Sequence, residues 1–255
     1  MLENSLRGIV RRYSTAAVKY ATAGVLGLAL LFGGKRMYAG DEGLDLPIGP
    51  RISYSDPHRQ EPPRIPDEDP PTFFGEPIYG ATESLIYVVD RSGSMERVMG
   101  SGVDLEGRVR NMTRFQRAQV ELKRSIRALA PNFRFNIVSY DCSTNAWQRE
   151  LVPASVENKR AAYRWIDGLY PQGGTGTAFG VSYALRTGGS NRDVILLTDG
   201  EPTCRLDMAE HLLIITNSNP DHDRVHVFGI ATYGPFRQFC QRVASNTGGS
   251  FHEVR

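Results

Sequence analysis

The stretch SLIYVVDRSGSM, residues 84–95, decides the architecture. Leu85 to Val89 is a short, unbroken run of apolar, strand-favouring side chains, which suits a strand buried on both faces of a parallel sheet. The run stops at Asp90, and Ser92, Gly93 and Ser94 follow at once. Open α/β sheets bind ligands beyond the carboxyl ends of their strands, so a carboxylate and two hydroxyls stand where chemistry is to be sought.

Downstream, the hydrophobic period changes. Phe115, Ala118, Leu122, Ile126 and Leu129 recur at helical spacing, while Arg114, Arg117, Lys123, Arg124 and Arg127 fall largely on the other faces. RFNIVSYD (134–141) and WQRELV (147–152) read as strands, followed by a helix over 159–169 with Ala162, Trp165, Ile166 and Leu169 on one face. Another helix is predicted over 177–186, a buried strand at DVILLT (193–198), a helix over 207–216 and a strand at VHVFGIA (225–231). The last helix is predicted over 235–245, with Pro235 in its first turn and Gly248 past its end, before a closing strand at 251–254. This alternation predicts a three-layer α/β fold with a mostly parallel sheet. The intervening residues 96–113 are expected to form a long loop beside the Asp90 strand end, placed to select partners or to cover the site.

The chain has 255 residues, 40% hydrophobic and 23% charged, with a net charge of +2. That gives room for one sizeable domain plus extras, excludes a mostly disordered chain and a multi-pass membrane protein, and offers no electrostatic case for nucleic acid. The charge is unevenly spread: six bases and one acid in residues 1–40, three bases and nine acids in 41–80, and 21 bases and 18 acids in 81–255. Three segments follow from this: a basic and hydrophobic signal or anchor (1–40), a Pro-rich acidic linker (41–80) and the globular domain (81–255). In the first, Arg7, Arg11, Arg12 and Lys19 precede the uncharged run of residues 20–34, the order of a signal peptide or a transmembrane signal anchor. Met37, Lys35 and Arg36 suit cleavage poorly, which favours a single-pass membrane protein with the domain extracytoplasmic; secretion or periplasmic release after cleavage is the alternative. The linker holds nine of the fifteen prolines, so it is expected to be a semi-rigid spacer that contributes to no packed core.

Two more segments repeat the chemistry of the Asp90 strand end. DVILLT is followed by Asp199, and the loop before the 177–186 helix reads GGTGT (173–177). Asp90, Ser92, Ser94, Thr175 and Asp199 are all hard oxygen donors, which suit Mg²⁺ (or Mn²⁺ or Ca²⁺) far better than zinc or copper. Two carboxylates only just balance a divalent charge, so an open coordination position would attract one more acidic oxygen.

In that order the five residues resemble the metal-ion-dependent adhesion site of the von Willebrand factor type A (VWA) domain in its bacterial form. Asp90, Ser92 and Ser94 match its DxSxS, Thr175 its later Thr and Asp199 its last Asp, and the resemblance covers roughly residues 83–255. It implies a Rossmann-like VWA fold and a complete site in which Ser92, Ser94 and Thr175 reach the metal through hydroxyls, while Asp90 and Asp199 bind directly or through waters. A Glu or Asp of a protein partner would complete the shell. The implied function is metal-dependent adhesion or protein binding without catalysis; the alternative is a VWA subunit of an AAA+ ATPase-linked metal-insertion or remodelling complex. Many relatives add a helix after the last strand, and the linker is a candidate to cover that edge here.

The remaining motifs are quiet. Cys142, Cys204 and Cys240 stand in no zinc spacing; Cys240 is expected to be a buried thiol, with Cys142–Cys204 or Cys204–Cys240 open as bridges if the domain is exported. No GK[ST] follows the glycines at 173–176, so no nucleotide is expected, and no Ser-His-Asp set with a nucleophile elbow is present. The histidines are expected to be structural or on the surface.

Overall fold

The structure, a computed structural model, describes residues 70–78, 83–187, 193–200 and 202–255. The hydrophobic run at 20–34 and most of the linker lie outside the described residues. Among the described residues no helix is long and apolar enough to cross a membrane.

A central sheet carries the domain. Strands β3 (Ser84–Asp90), β6 (Arg134–Tyr140), β9 (Asp193–Thr198), β10 (Arg224–Ile230) and β11 (Phe251–Val254) run parallel in the order β11-β10-β9-β3-β6. Two short antiparallel strands, β7 (Thr144–Ala146) and β8 (Val152–Pro153), pair with the outer side of β6. Of the strand expected at WQRELV (147–152), only Val152 is formed, as the first residue of β8. Two further hairpins lie off the sheet: β1 (Thr72–Phe73) with β2 (Glu76–Pro77), and β4 (Val98–Val103) with β5 (Val109–Thr113).

The run at 84–90 is buried on both faces, and the period of two sorts its residues between layers. Leu85, Tyr87 and Val89 point to the core beneath helices α1 (Arg114–Ala128) and α2 (Val156–Asp167). Ile86 and Val88 point to the core beneath α3 (Thr177–Leu185), α4 (Met208–Asn217) and α5 (Gly234–Thr247). The apolar stripe read along α1 is the one that packs: Phe115, Ala118, Leu122 and Ile126 are buried, as is Leu129 just past its end. Three helix starts carry side-chain caps, with Thr113 and Gln116 forming a capping box on α1, Asp207 and Glu210 another on α4, and Ser155 capping α2. The uncapped start of α3 is satisfied from elsewhere, since buried His211 accepts the Ala178 backbone N–H at Nδ1.

Two expectations are corrected. Residues 96–113 are not a loop but, for the most part, the β4–β5 ribbon, closed by Asp104, which accepts the Glu106 and Arg108 backbone N–H groups. Its Met112 is buried, while Val98, Val103 and Val109 remain exposed, so cross-strand pairing and one buried anchor stand in for an alternating pattern. Residues 70–78, with four of their nine positions proline or glycine, nevertheless join the core. Phe73 and Ile78 are both 1% exposed, and Phe73 packs against Tyr87 and Phe228, so the end of the linker covers the sheet face beside α1. Two large apolar side chains outweigh the proline content around them.

Among the described glycines, Gly249 leaves the least room for a side chain. A Cβ there would lie 2.1 Å from the Val225 carbonyl oxygen, which is backbone and cannot yield. Gly249→Ala is expected to lower stability by about 3 kcal/mol or more, measured by urea unfolding against the parent.

Candidate functional site

The sheet order places the site. From β3 the chain moves outward to β6 and then crosses back to β9 on the other side of β3. A crevice therefore opens beyond the carboxyl ends of β3 and β9, where consecutive connections leave in opposite directions. Asp90 closes β3 and Asp199 follows β9.

Asp90 is fully buried and gathers the crevice around itself. Its Oδ1 accepts the Ser92 backbone N–H at 2.8 Å, and its Oδ2 accepts the hydroxyls of Thr198 at 2.7 Å and Tyr140 at 3.3 Å. The Ser92 and Ser94 hydroxyls lie 3.1 Å apart. The loop carrying Thr175 is stitched to this segment by two backbone bonds, Gly93 N–H to Gly173 O and Gln172 N–H to Arg91 O. Thr175 itself is buried, and its carbonyl accepts the backbone N–H groups of Thr203 and Cys204. The structure thus brings the segments bearing all five predicted residues to one crevice.

Its electrostatics are those of two buried carboxylates facing each other. Burial, and then the Asp199 charge, push the Asp90 carboxyl up to about 7 from an ordinary value of 3.8. Asp199 has one oxygen in use: Oδ2 accepts Arg114 Nη1 at 2.8 Å. Its Oδ1 is buried with no hydrogen-bond partner. An orphaned carboxylate oxygen in a crevice with paired hydroxyls and a second carboxylate fits a hard cation. Among the described residues no group of three or more His, Cys, Asp or Glu side chains is placed to hold a metal, so an ion here would need the hydroxyls.

The sequence did not disclose four features of this site. Arg114 looked like one more polar-face residue of α1, yet it turns into the crevice. Thr198 and Tyr140, read simply as strand residues, supply the hydrogen bonds that hold Asp90. Asp141 is locked at the rim: burial raises its carboxyl, but bonds from Ser143, Gln172 and Arg91 outweigh that and hold it below the usual range. Cys142 and Cys204 form a disulfide with Cα atoms 5.5 Å apart, resolving the two bridges left open by the sequence. A Cβ at Gly174 would lie 3.0 Å from the Cys142 sulfur and 2.9 Å from that of Cys204, so the bridge packs against the backbone just before Thr175. Cys240 is the expected buried thiol, pushed up to about 12 by burial, with the Asp90 and Asp199 charges adding to it.

Far from the crevice, Asp193, His226 and Ser250 do line up, at 3.2 and 2.8 Å. The arrangement reads as a clasp joining β9, β10 and the start of β11. Arg224 grips both oxygens of Asp193, and the backbone N–H groups of Gly248, Gly249 and Ser250 go to Ser245 O, Ala244 O and His226 Nδ1. None of these three donors is left to stabilise an oxyanion.

A doubly wound α/β domain with an all-oxygen crevice at the ends of its first and third parallel strands defines the class. A sequence model of the von Willebrand factor type A domain matches residues 110–252, more than half of the chain, and the protein belongs to that family. The matched region includes Thr175 and Asp199 and begins after Ser94. Among curated proteins the chain is similar to inter-alpha-trypsin inhibitor heavy chain H4 from Bos taurus, 30% identical over 132 residues, covering 48% of this chain and 13% of that protein. It is also similar to the heavy chain H4 from Homo sapiens, 28% identical over 142 residues, covering 51% and 14%. The matched region is thus a small part of those relatives. Among solved structures, a von Willebrand factor type A protein from Catenulispora acidiphila superimposes with a TM-score of 0.54 at 20% identity, covering 69% of this chain and 39% of that one. BatB from Bacteroides thetaiotaomicron does so with a TM-score of 0.51 at 15% identity, covering 67% and 89%. These likenesses establish the fold. Domains of this family are general protein-interaction and adhesion modules.

Proposed function

We propose that this domain is a divalent-metal-dependent protein-binding module, without catalytic activity, that captures an acidic side chain of a protein partner. Asp90, Ser92, Ser94, Thr175 and Asp199 would hold Mg²⁺, or Mn²⁺ or Ca²⁺, as a complete adhesion site. The bound ion would supply a fixed positive charge with a coordination position open to a carboxylate. The chain's own residues do the rest: Asp90 ties the Ser92 segment to β9 through Thr198, and the Thr203–Cys204 backbone sets the Thr175 loop.

The orphaned Asp199 Oδ1 carries this reading, because a buried carboxylate oxygen without a donor is costly unless a cation completes it. The Cys142–Cys204 bridge supports placement outside the cytosol, in keeping with residues 1–40 acting as a membrane anchor or an export signal. It weighs against the alternative of a cytosolic partner of an AAA+ ATPase.

Thermal unfolding and calorimetric titration of the full chain with Mg²⁺, Mn²⁺ and Ca²⁺ test the proposal. Saturable binding that raises the melting temperature in the parent, and is lost in Asp90→Ala and weakened in Thr175→Ala, is the expected result. A folded parent that binds none of the three ions would overturn it.

A further inference from the structure

Arg114 is the first residue of α1, where a cation opposes the helix macrodipole. Its position is nonetheless held firmly. The Thr113–Gln116 capping box fixes the turn, the Arg114 backbone N–H donates to Arg97 O at 3.0 Å, and Phe115 and Ala118 anchor the same turn in the core. The guanidinium is thereby delivered to Asp199 Oδ2, with the arginine side chain 13% exposed and the aspartate 2%. This is a charged bond in a site with little water, unlike the solvated pairs on the outer faces of the helices.

The charge balance follows. With both carboxylates ionised, Asp90 and Asp199 carry −2, which a divalent ion would neutralise. Arg114 already supplies +1 at Oδ2, so an ion taking the free Oδ1 would share the carboxylate with the guanidinium and be repelled by it across a short, poorly screened distance. We infer that Arg114 is a built-in counter-ion that holds Asp199 through Oδ2 in the metal-free domain and, driven by that repulsion, releases it when a divalent cation loads at Oδ1. This rests on the proposal that the crevice takes such an ion, and it adds a regulatory element. Arg114 directly follows β5, and its backbone N–H bonds to Arg97 O just before β4, so the guanidinium acts from the root of the β4–β5 ribbon.

The test compares the full-length parent with Arg114→Gln and Arg114→Lys, titrated with Mg²⁺ by calorimetry and melted with and without the ion. Arg114→Gln is expected to bind Mg²⁺ about tenfold more tightly than the parent, with Arg114→Lys between them. Metal-free, Arg114→Gln is expected to melt below the parent, because Asp199 loses its only ion pair among the described residues, and saturating Mg²⁺ should close that gap. A folded Arg114→Gln that binds Mg²⁺ no more tightly than the parent would overturn the inference while leaving the metal site standing. If neither binds, both the metal site and the inference fall. Should Arg114→Gln not fold, the parent answers alone through the Arg114 side-chain N–H resonances. Loss of their exchange protection on saturation with Mg²⁺ supports release, and unchanged protection refutes it.

Discussion

Asp90→Asn is expected to weaken divalent-metal binding by about 100-fold or more while leaving the metal-free domain folded and more stable than the parent near pH 7.5. The change keeps the shape of the side chain but removes one of two charges buried against each other. In the parent, the metal-free fold raises the Asp90 carboxyl from 3.8 to about 7, so the folded chain binds a proton that the unfolded chain has released. Stability from this group is therefore full below about pH 4 and falls as the pH rises through 7. The parent should lose stability across that window, and Asp90→Asn should lack that part of the slope. Urea unfolding at several pH values, with chelator present, measures it. A parent profile flat between pH 4 and 7 that Asp90→Asn does not alter would contradict the buried-carboxylate account. Metal loading near neutral pH should also release protons, since Asp90 must ionise fully to serve the ion.

Breaking the Cys142–Cys204 bridge is expected to have the largest effect on the metal-free fold. The half-cystines are 62 residues apart in sequence, a separation for which the chain-entropy relation gives about 4 kcal/mol. For a domain of this size that corresponds to a fall in melting temperature of roughly 10 °C. The site should suffer as well, because Cys204 and Thr203 hold the Thr175 carbonyl and the bridge braces Gly174. Scanning calorimetry of Cys142→Ser/Cys204→Ser beside the parent, followed by Mg²⁺ titration well below the new melting temperature, separates the two effects. Unchanged melting would mean that the reduced loops retain the same constraints by packing alone.

Both predictions depend on interactions of very different visibility in the chain. Asp90 could be found because a continuous apolar run ends on it, and the physics of burial fixes where that run must go. Its partners Thr198 and Tyr140 could not, because a threonine or tyrosine in a strand looks the same whether it binds a carboxylate or merely packs. The 96–113 segment was opaque for a related reason. Its glycines and alternating charges carry no strong period, and only pairing between Val103 and Val109, together with the burial of Met112, makes it a ribbon. Phe73 and Ile78 were hidden by the prolines near them, although the cluster of large apolar residues around them at the end of a polar linker was a signal available to be read.

The sequence by itself determined the strand and helix alternation, the buried faces of β3 and α1, and the strand ends and loop that meet at the crevice. These follow from short-range pattern: apolar runs bury, apolar stripes pack, and strand ends are where loops begin. Only the tertiary structure decided that Arg114 faces Asp199, that Cys142 joins Cys204 and leaves Cys240 alone in the core, and that Asp199 keeps one oxygen without a partner. Each depends on the relative placement of segments far apart in the chain, 85 residues for the ion pair and 62 for the bridge, which packing of the whole domain sets and local pattern cannot.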